Sequence, residues 1–393
     1  MDTMNSTKNI KRLSLCLVFI FLCSAGFAAP LYSTEWGFSV DLPEGYELVE
    51  SNGLDSFSFV NSYGANFDIG VYHAADGRSE HFQSTQALVQ GVRRRLNSSG
   101  DADSFIYRGN LTFVMELRFT LPGERTPFSG WAIAAELETA DTSAPRPVFL
   151  AMAYGPAAQG ELLDFHLSAL NSIALKDNDR LAPGPITEFL YPRLTQIRVP
   201  VFGMGFEAAI FAEDAEAAQA LIDREFHLLT RYVNAPNWQE AWQRFYRAIY
   251  RDSFYRLADI AAGMRRRLGA SDEDSRDFAE RLLAWVQSFH YERDLEGSDF
   301  VNLVSAATEG RGDCDSRAML WALILRTADI PSGIIVSRHY SHAMGLADVG
   351  GYGARFLVEG RNFLVAETTA PVDIGLIAED KSGIEHWLSI VFE

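Results

Sequence analysis

Cys314 is the residue whose type and position most clearly allow covalent chemistry. It lies five residues before an apolar run at residues 319–325 that is typical of a buried helix. Gly310 and Gly312 allow the backbone to turn sharply into this helix, which places the cysteine at the helix N-terminus. Unpaired amides and the helix dipole stabilise a thiolate there, and the same amides can stabilise an oxyanion. The pattern indicates a nucleophile for acyl transfer.

Two neighbouring carboxylates oppose this interpretation. Asp313 and Asp315 flank the cysteine, and nearby negative charge raises the pKa of a thiol. Either acid could instead cap the helix or bind a cationic group. Taken alone, Cys314 also fits a small buried apolar position. A thiol metal site would need more soft ligands than one cysteine near His339 and His342, so we predict no metal and no cofactor.

The segments after Cys314 predict elements that could hold its partners. Each segment is apolar or β-branched and is bounded by turn residues, as strands are. His342 lies on the second predicted strand and Glu367 on the last, so the order is thiol on a helix, base on one strand and acid on the next. The predicted elements are a helix from 314 to about 328, strands at 333–337, 341–346, 354–358 and 363–368, and a hairpin turn at 360–362.

A neutral thiol needs an imidazole to accept its proton and a carboxylate to fix the tautomer of that imidazole. His339 competes with His342 for the base role, and the two would face opposite sides of one strand. Asp348 and Asp373 are alternatives to Glu367 as the acid. The residues alone leave these alternatives open.

Four pieces of this region resemble the transglutaminase-like superfamily of papain-fold thiol enzymes. Over residues 275–375, the resemblance implies that Cys314 is the nucleophile, His342 the general base and acid, and Glu367 the group that orients the imidazole. The family usually has Asp in the third position, so Glu367 is a departure. The pieces are Gly312-Asp313-Cys314 with Ala318, Ile330-Pro331, His342-Ala343 and Glu367-Thr368-Thr369.

The first 29 residues are typical of a secretory signal peptide. A basic segment with Lys8, Lys11 and Arg12 precedes an apolar run at 13–22 and a cluster of small residues. An uncleaved N-terminal anchor is the alternative. We predict export to the periplasm or the extracellular space, with no membrane insertion after cleavage because no later stretch is apolar enough to span a bilayer.

Export would leave Cys314 as the single cysteine, because Cys16 and Cys23 lie in the signal. A disulfide within the chain is then impossible, and a lone exported thiol is unusual. The chain of 393 residues is 48% hydrophobic and carries a net charge of −18. This composition is typical of a globular protein and disfavours nucleic acids and anionic membranes as partners.

The N-terminal half predicts a separate, sheet-rich unit. Residues 33–175 resemble the PsbP/Mog1-like α-β-α sandwich domains, on the run from Trp36 to Tyr46 (WGFSVDLPEGY) and the order of elements. This resemblance implies a binding module without chemistry of its own. Prolines at 176–204 predict a linker, and 205–393 would hold a helical region and the transglutaminase-like catalytic domain. The predicted fold class is α+β, with the catalytic helix packed on an antiparallel sheet.

These observations predict an exported cysteine enzyme that forms a thioester at Cys314 and acts on a protein or peptide substrate. Hydrolysis is preferred to transamidation, because the sequence has no sign of a dedicated amine site. The alternative is a non-catalytic binding or scaffold protein that keeps a degenerate transglutaminase-like fold. The sequence does not predict the oligomeric state.

Overall fold

The computed structural model describes residues 30–73, 84–121, 123, 125–139, 145–269, 275–293 and 298–392. The predicted signal peptide at 1–29 therefore lies outside the described residues. Within these ranges the protein mixes helices with sheets that are antiparallel except for one short parallel pair. No helix in the described ranges has the length and apolar composition needed to cross a membrane.

The described helices and strands are numbered here in chain order. The strands are β1 (Leu31–Tyr32), β2 (Ser39–Val40), β3 (Tyr46–Ser51), β4 (Ser56–Asn61), β5 (Asn66–Tyr72), β6 (Ala102–Tyr107), β7 (Asn110–Thr120), β8 (Pro127–Glu136), β9 (Val148–Pro156), β10 (Gln196–Pro200), β11 (Glu207–Phe211), β12 (His290–Tyr291), β13 (Arg311–Gly312), β14 (Ser332–Ser337), β15 (His342–Ala347), β16 (Arg355–Val358), β17 (Arg361–Ala366) and β18 (Leu388–Phe392). The α-helices are α1 (Thr85–Leu96), α2 (Leu163–Asn171), α3 (Pro185–Leu190), α4 (Asp214–Thr230), α5 (Trp238–Arg256), α6 (Ala258–Leu268), α7 (Ser275–Gln287), α8 (Leu303–Glu309) and α9 (Cys314–Arg326).

A seven-stranded sheet forms the N-terminal unit, with strand order β3-β4-β5-β9-β8-β7-β6. Alternate residues of β9 point to opposite faces of the sheet. Phe149 packs in the apolar cluster that includes α2, and Leu150 packs in the cluster that includes α1. A helix therefore covers each face of this sheet, and both faces are apolar because both are buried.

The segment at 176–204, predicted as a linker, contains secondary structure of its own. Pro185 is the first residue of α3, a position that needs no backbone N–H. Pro200 ends β10, which pairs with β11 in an antiparallel hairpin. The prolines thus begin a helix and end a strand here.

Helix α5 ties the N-terminal unit to the rest of the chain through three arginines on one face. Arg244 forms buried ion pairs with Glu225, at 2.8 Å, and with Glu44 of the N-terminal unit, at 3.4 Å. Arg247 pairs with Asp41 at 3.0 Å. The guanidinium of Arg251 donates to three backbone carbonyls of the N-terminal unit and its following loop.

The C-terminal sheet has strand order β16-β17-β15-β14-β18, and α9 packs against β14 and β15. Residues 316–325 of α9 are buried on all sides, as the apolar run predicts. The hairpin between β16 and β17 turns at Glu359 and Gly360, with φ of +50° and +81°. The turn therefore lies one residue earlier than the predicted 360–362, because Asn362 pairs with Leu357 within the strands.

Candidate active site

Cys314 is the first residue of α9. Asp313 caps this helix, since its Oδ1 accepts a hydrogen bond of 2.8 Å from the backbone N–H of Ser316 and another from the Ser316 hydroxyl. Gly310 ends the preceding helix at a φ of +68°, and a Cβ there would lie 2.3 Å from the Phe202 ring. The positive φ and the lack of space for a Cβ both require a glycine at position 310. Of the two roles predicted for Asp313, helix cap or partner of a cationic group, the structure has the helix cap.

The helix that carries the thiol is fixed by its surroundings. Trp321 is fully buried and its indole N–H donates to the carbonyl of Ala279 at 3.0 Å. The buried guanidinium of Arg317 donates to the carbonyls of Gly312 and Phe289, at 3.1 and 2.8 Å. These contacts hold the segment before Cys314 against the first turn of α9, and the cysteine itself is 8% exposed.

His342 and Glu367 form a close pair. His342 begins β15, and Glu367 follows the end of the neighbouring strand β17. The distance from His342 Nε2 to Glu367 Oε2 is 2.7 Å. The other carboxylate oxygen, Oε1, accepts hydrogen bonds from the backbone N–H of Thr369 at 2.8 Å and from its hydroxyl at 2.6 Å. Both oxygens of the acid are therefore engaged.

The pKa of Glu367 reflects these contacts. Burial opposes ionisation of this carboxyl, but the hydrogen bonds from His342 and Thr369 outweigh burial and lower the pKa to about 2. Glu367 is thus a carboxylate at neutral pH and can hold a proton on the Nε2 of His342.

The sulfur of Cys314 lies beside the same strand. The backbone N–H groups of Ala343 and Asp315 are directed at Sγ, and Sγ is 3.9 Å from Oδ1 of Asp315. Among the described residues, no hydrogen bond joins Sγ to the imidazole of His342. The structure brings the thiol to the residue that follows the histidine, but it does not form the expected contact with the ring.

Burial and negative charge act together on the thiol. Burial raises the pKa of Cys314, and the carboxyl groups of Asp315 and Asp313 raise it further. The pKa of Asp315 is raised as well, by burial and by Asp313, although the Tyr246 hydroxyl donates a hydrogen bond to it. Within the described ranges, neither acid forms an ion pair. The groups next to Sγ thus favour the neutral thiol.

The alternative base and acids lie elsewhere. His339 is in the turn before β15, where its ring stacks on His386 at 4.1 Å between centroids. The backbone N–H of Asp348 bonds to Pro331 beyond the far end of α9, and Asp373 lies in a loop after β17. None of these three side chains forms a hydrogen bond, ion pair or ring contact with His342 in the described part of the chain. Among the described residues, the ring paired with that of His342 is that of Trp387, at 6.4 Å between centroids.

Asp313, Cys314 and Asp315 form the one described group of three potential metal-ligating side chains, with ligand atoms within 4.8 Å of one another. This set has a single soft ligand. Asp313 is already engaged as the helix cap, so the set offers few free donors for a thiol-type metal site.

Three contributors to the site were missed from the sequence. Thr369 was part of a recognised piece, but its hydrogen bonds to Glu367 were not anticipated. Arg317 follows Cys314 by three residues, and a charged residue inside an apolar helix was a usable signal. Tyr246 comes from α5, and nothing in the local sequence of Cys314 points to it.

Comparison with known proteins identifies one region. Residues 262–363 match the family model described as the transglutaminase-like superfamily. The C-terminal region therefore carries a transglutaminase-like domain, which confirms that part of the prediction. The match contains Cys314 and His342 and ends before Glu367.

Two solved structures are similar to parts of the chain. A protein from Bacteroides thetaiotaomicron has 11% identity and a TM-score of 0.25, over 63% of this chain and 81% of its own. LpqN, described as involved in cell envelope biogenesis of Mycobacterium tuberculosis, has 10% identity and a TM-score of 0.25, over 37% of this chain and 88% of its own. No curated protein matches the chain. The PsbP/Mog1-like resemblance of residues 33–175 stays a prediction.

Proposed function

We propose that this protein, through its transglutaminase-like domain, is a cysteine enzyme that cleaves amide bonds in a protein or peptide substrate by way of a thioester at Cys314. In this proposal His342 is the general base and acid, and Glu367 orients its imidazole. Superfamily domains of this kind commonly use cysteine-based catalysis.

The observation that carries the proposal is the 2.7 Å contact between His342 and Glu367, one residue away from the backbone N–H that faces the sulfur. A carboxylate at Nε2 keeps the proton on that nitrogen, so the Nδ1 lone pair is free to accept a proton from a thiol. A histidine–carboxylate pair beside a buried cysteine can take part directly in acyl transfer. The same pair would contribute little to the packing of the domain.

Acylation follows from these positions. The thiol proton moves to His342 as Sγ bonds to the substrate carbonyl carbon, and the negative charge goes to the carbonyl oxygen. The backbone N–H of Cys314, at the start of α9, has no partner within the helix and is suited to stabilise that oxyanion. The C–N bond then breaks, and the leaving amine takes the proton from His342.

Hydrolysis completes the cycle. His342 accepts a proton from water while the water oxygen bonds to the thioester carbonyl. The C–S bond breaks, the carboxylic acid leaves, and the proton returns to the sulfur. An amine in place of water would give transamidation. Because Asp313 is the helix cap, the two acids beside the thiol do not form a site dedicated to a cationic amine. We therefore prefer hydrolysis to transamidation.

Export is part of the proposal. Residues 1–29 have the pattern of a secretory signal, and a periplasmic or extracellular location follows from its cleavage. The acidic composition suits a protein that binds neither nucleic acid nor anionic membranes. N-terminal sequencing of the mature protein from the exporting cell tests this point, and a mature chain that still begins at Met1 would contradict it.

The decisive experiment traps the thioester. Intact-mass measurement of the protein after brief incubation with an activated acyl ester should show one acyl group, mapped to Cys314 by peptide analysis. Hydroxylamine should release this group, as it does for thioesters. The Cys314→Ser variant should carry no acyl group that hydroxylamine releases as it releases a thioester. Failure of the wild-type protein to acquire an acyl group would contradict the proposal.

The second candidate function is binding without turnover. The raised pKa of Cys314 and the missing hydrogen bond between Sγ and His342 favour it. If the thiol reacts only at the rate of a buried, neutral cysteine and no acyl group is transferred, the domain is a scaffold that keeps the fold of a thiol enzyme.

A further inference from the structure

The C-terminal end of α7 lies between the thiol and the acid of the candidate site. Gln287 is the last residue of this helix, and Phe289 follows shortly after it. The carbonyl of Phe289 accepts a hydrogen bond of 2.8 Å from Arg317, in the first turn of the helix that begins at Cys314. Strand β12 comes next and pairs with β13, just before the thiol. This end of α7 is therefore fixed to the segment that carries Cys314.

Gln287 connects the same helix end to the acid. Its side-chain Nε2 donates to the backbone carbonyl of Glu367 at 2.8 Å and to that of Val372 at 2.9 Å. A carbonyl oxygen can only accept, so these bonds fix which end of the amide faces the loop, and they use both of its N–H groups. Gln287 therefore holds the loop 367–372 at both of its ends.

The loop held by Gln287 contains the groups that orient the carboxylate. Thr369 lies within it, and the backbone N–H and hydroxyl of Thr369 donate to Oε1 of Glu367 at 2.8 and 2.6 Å. The other oxygen, Oε2, faces Nε2 of His342 at 2.7 Å. The pairing of β17 with β15 ends at Ala366, one residue before the acid. The position of the Glu367 backbone therefore depends on the contacts of this loop.

We infer that Gln287 is a positioning residue for the reaction proposed above. It acts through the backbone of Glu367, because its amide holds the loop in the arrangement in which Oε2 faces His342 and Oε1 faces Thr369. Without this amide the carboxylate is free to turn away, and the imidazole loses the partner that fixes its tautomer. The effect on rate rests on the proposed function, whereas the tautomer of His342 is measurable without any turnover.

A purely structural role for Gln287 makes a different prediction. The loss of hydrogen bonds to partly buried carbonyls should lower the free energy of unfolding wherever it occurs in the domain. Gln243 offers a matched control, because its Nε2 donates to the backbone carbonyl of Ser389 in the same sheet, at 3.3 Å. Gln243 has no hydrogen bond to Glu367 or His342 among the described residues, so Gln243→Met should affect stability alone.

The first test measures the tautomer of His342. NMR nitrogen–proton correlation spectra of the full chain with isotope-labelled histidines, at about pH 8, distinguish a proton on Nδ1 from one on Nε2. In the wild-type protein the proton should be on Nε2, facing Glu367. Gln287→Met should give a mixture of the two tautomers, and Gln243→Met should leave the spectrum of this ring unchanged. The signal that disappears in His342→Ala identifies the ring.

The second test is kinetic and follows hydrolysis of the activated acyl ester. Gln287→Met should lower kcat about tenfold with little change in KM, because the acid is misplaced but still present. In a Glu367→Gln background the same substitution should cause almost no further loss, since its effect passes through the acid. Gln287→Asn keeps an amide on a shorter side chain and should lose less than Gln287→Met.

Either of two results would overturn the inference. One is a folded Gln287→Met protein that keeps the proton of His342 on Nε2, and the other is a loss of kcat in the Glu367→Gln background as large as in the wild type. If Gln287→Met does not fold, Gln287→Asn decides between the same outcomes. A wild-type protein without acyl transfer would contradict the proposed function alone, because the tautomer measurement still decides whether Gln287 holds the acid in place.

Discussion

The two halves of the candidate site differ in how well they are prepared for catalysis. In the strand half, His342 and Glu367 are 2.7 Å apart and Thr369 engages the second carboxylate oxygen. In the helix half, Cys314 has a carboxyl group at 3.9 Å and no hydrogen bond to an imidazole among the described residues. The imidazole proposed as the base is already paired with its carboxylate, while the groups around the thiol favour its neutral form.

This difference shows that the histidine–carboxylate pair can be fully formed while the thiol is not arranged for proton transfer. The carboxylate and imidazole form their pair without a described hydrogen bond to the thiol. The thiol needs a movement toward the ring, or the loss of the carboxyl group beside it, before the proton can be transferred. Variants of each half therefore test a different part of the proposed function.

The largest effect is expected for Cys314→Ala. It should abolish acyl transfer and thiol labelling, because it removes the only nucleophile of the helix half, and should cost about 1 kcal/mol of unfolding free energy for a small buried truncation. Peptide mapping after alkylation and a thermal melt measure the two effects. Residual acyl transfer in this variant would place the chemistry elsewhere.

His342→Ala should lower acyl transfer about a thousandfold, within the usual range for loss of a general base. If the two halves cooperate, alkylation of wild-type Cys314 has a component at neutral pH that this variant lacks. If they do not, both proteins react only as the pH approaches the raised pKa of the thiol. His339→Ala, three residues away, is the control and should keep the wild-type profile.

Glu367→Gln should cost about a hundredfold in kcat with little change in KM, because the amide no longer fixes the imidazole tautomer. Glu367→Asp keeps the charge and should recover part of the loss. Asp348→Asn and Asp373→Asn should be close to wild type, since neither acid contacts His342. A loss in either of them as large as that in Glu367→Gln would mean that the acid has been misassigned.

Asp315→Asn should have the smallest effect and the opposite sign. The pKa of Asp315 is raised to about 8, so its charge acts on the thiol mainly above that pH, and alkylation above about pH 8 should become about tenfold faster in this variant. Asp315→Glu keeps the charge and should not show this gain. An unchanged rate in Asp315→Asn would remove the electrostatic explanation for the neutral thiol.

The same substitution should change how the free energy of unfolding depends on pH. The pKa of Asp315 is higher in the folded than in the unfolded chain, so its contribution is fully present at low pH and is lost as the pH rises toward the raised value. Asp315→Asn should therefore stabilise the protein by about 1 kcal/mol near pH 8 and by much less near pH 4. Thermal melts at both pH values measure this difference.

Much of the strand and helix arrangement could be predicted because it rests on local patterns. Residues 319–325 are apolar at every position, which predicts a helix buried on all faces, and Pro331 marks its end. The β-branched run in β14 predicts a buried strand in the same way. These signals predict one strand that carries His342 and a later strand that carries Glu367; in the structure His342 begins β15 and Glu367 directly follows the end of β17.

The rest depends on contacts between distant segments. Tyr246 reaches Asp315 only because α5 packs beside the start of α9, and no pattern near Cys314 encodes that packing. Whether Asp313 caps the helix or binds a cation could not be decided from residue type, since aspartate suits both. The prolines at 185 and 200 predict a linker, but proline suits the first turn of a helix and the end of a strand equally well, so residue type alone does not distinguish these cases.

Helix α5 sets a limit on how the sequence of this protein can change. Its arginines at 244, 247 and 251 form ion pairs and hydrogen bonds with the N-terminal unit. Tyr246 donates a hydrogen bond to Asp315, next to the thiol. Each residue of a helix turns the next by about 100°. An insertion or deletion of one residue inside α5 would rotate one set of contacts away from the other, so the number of residues between these contacts cannot change.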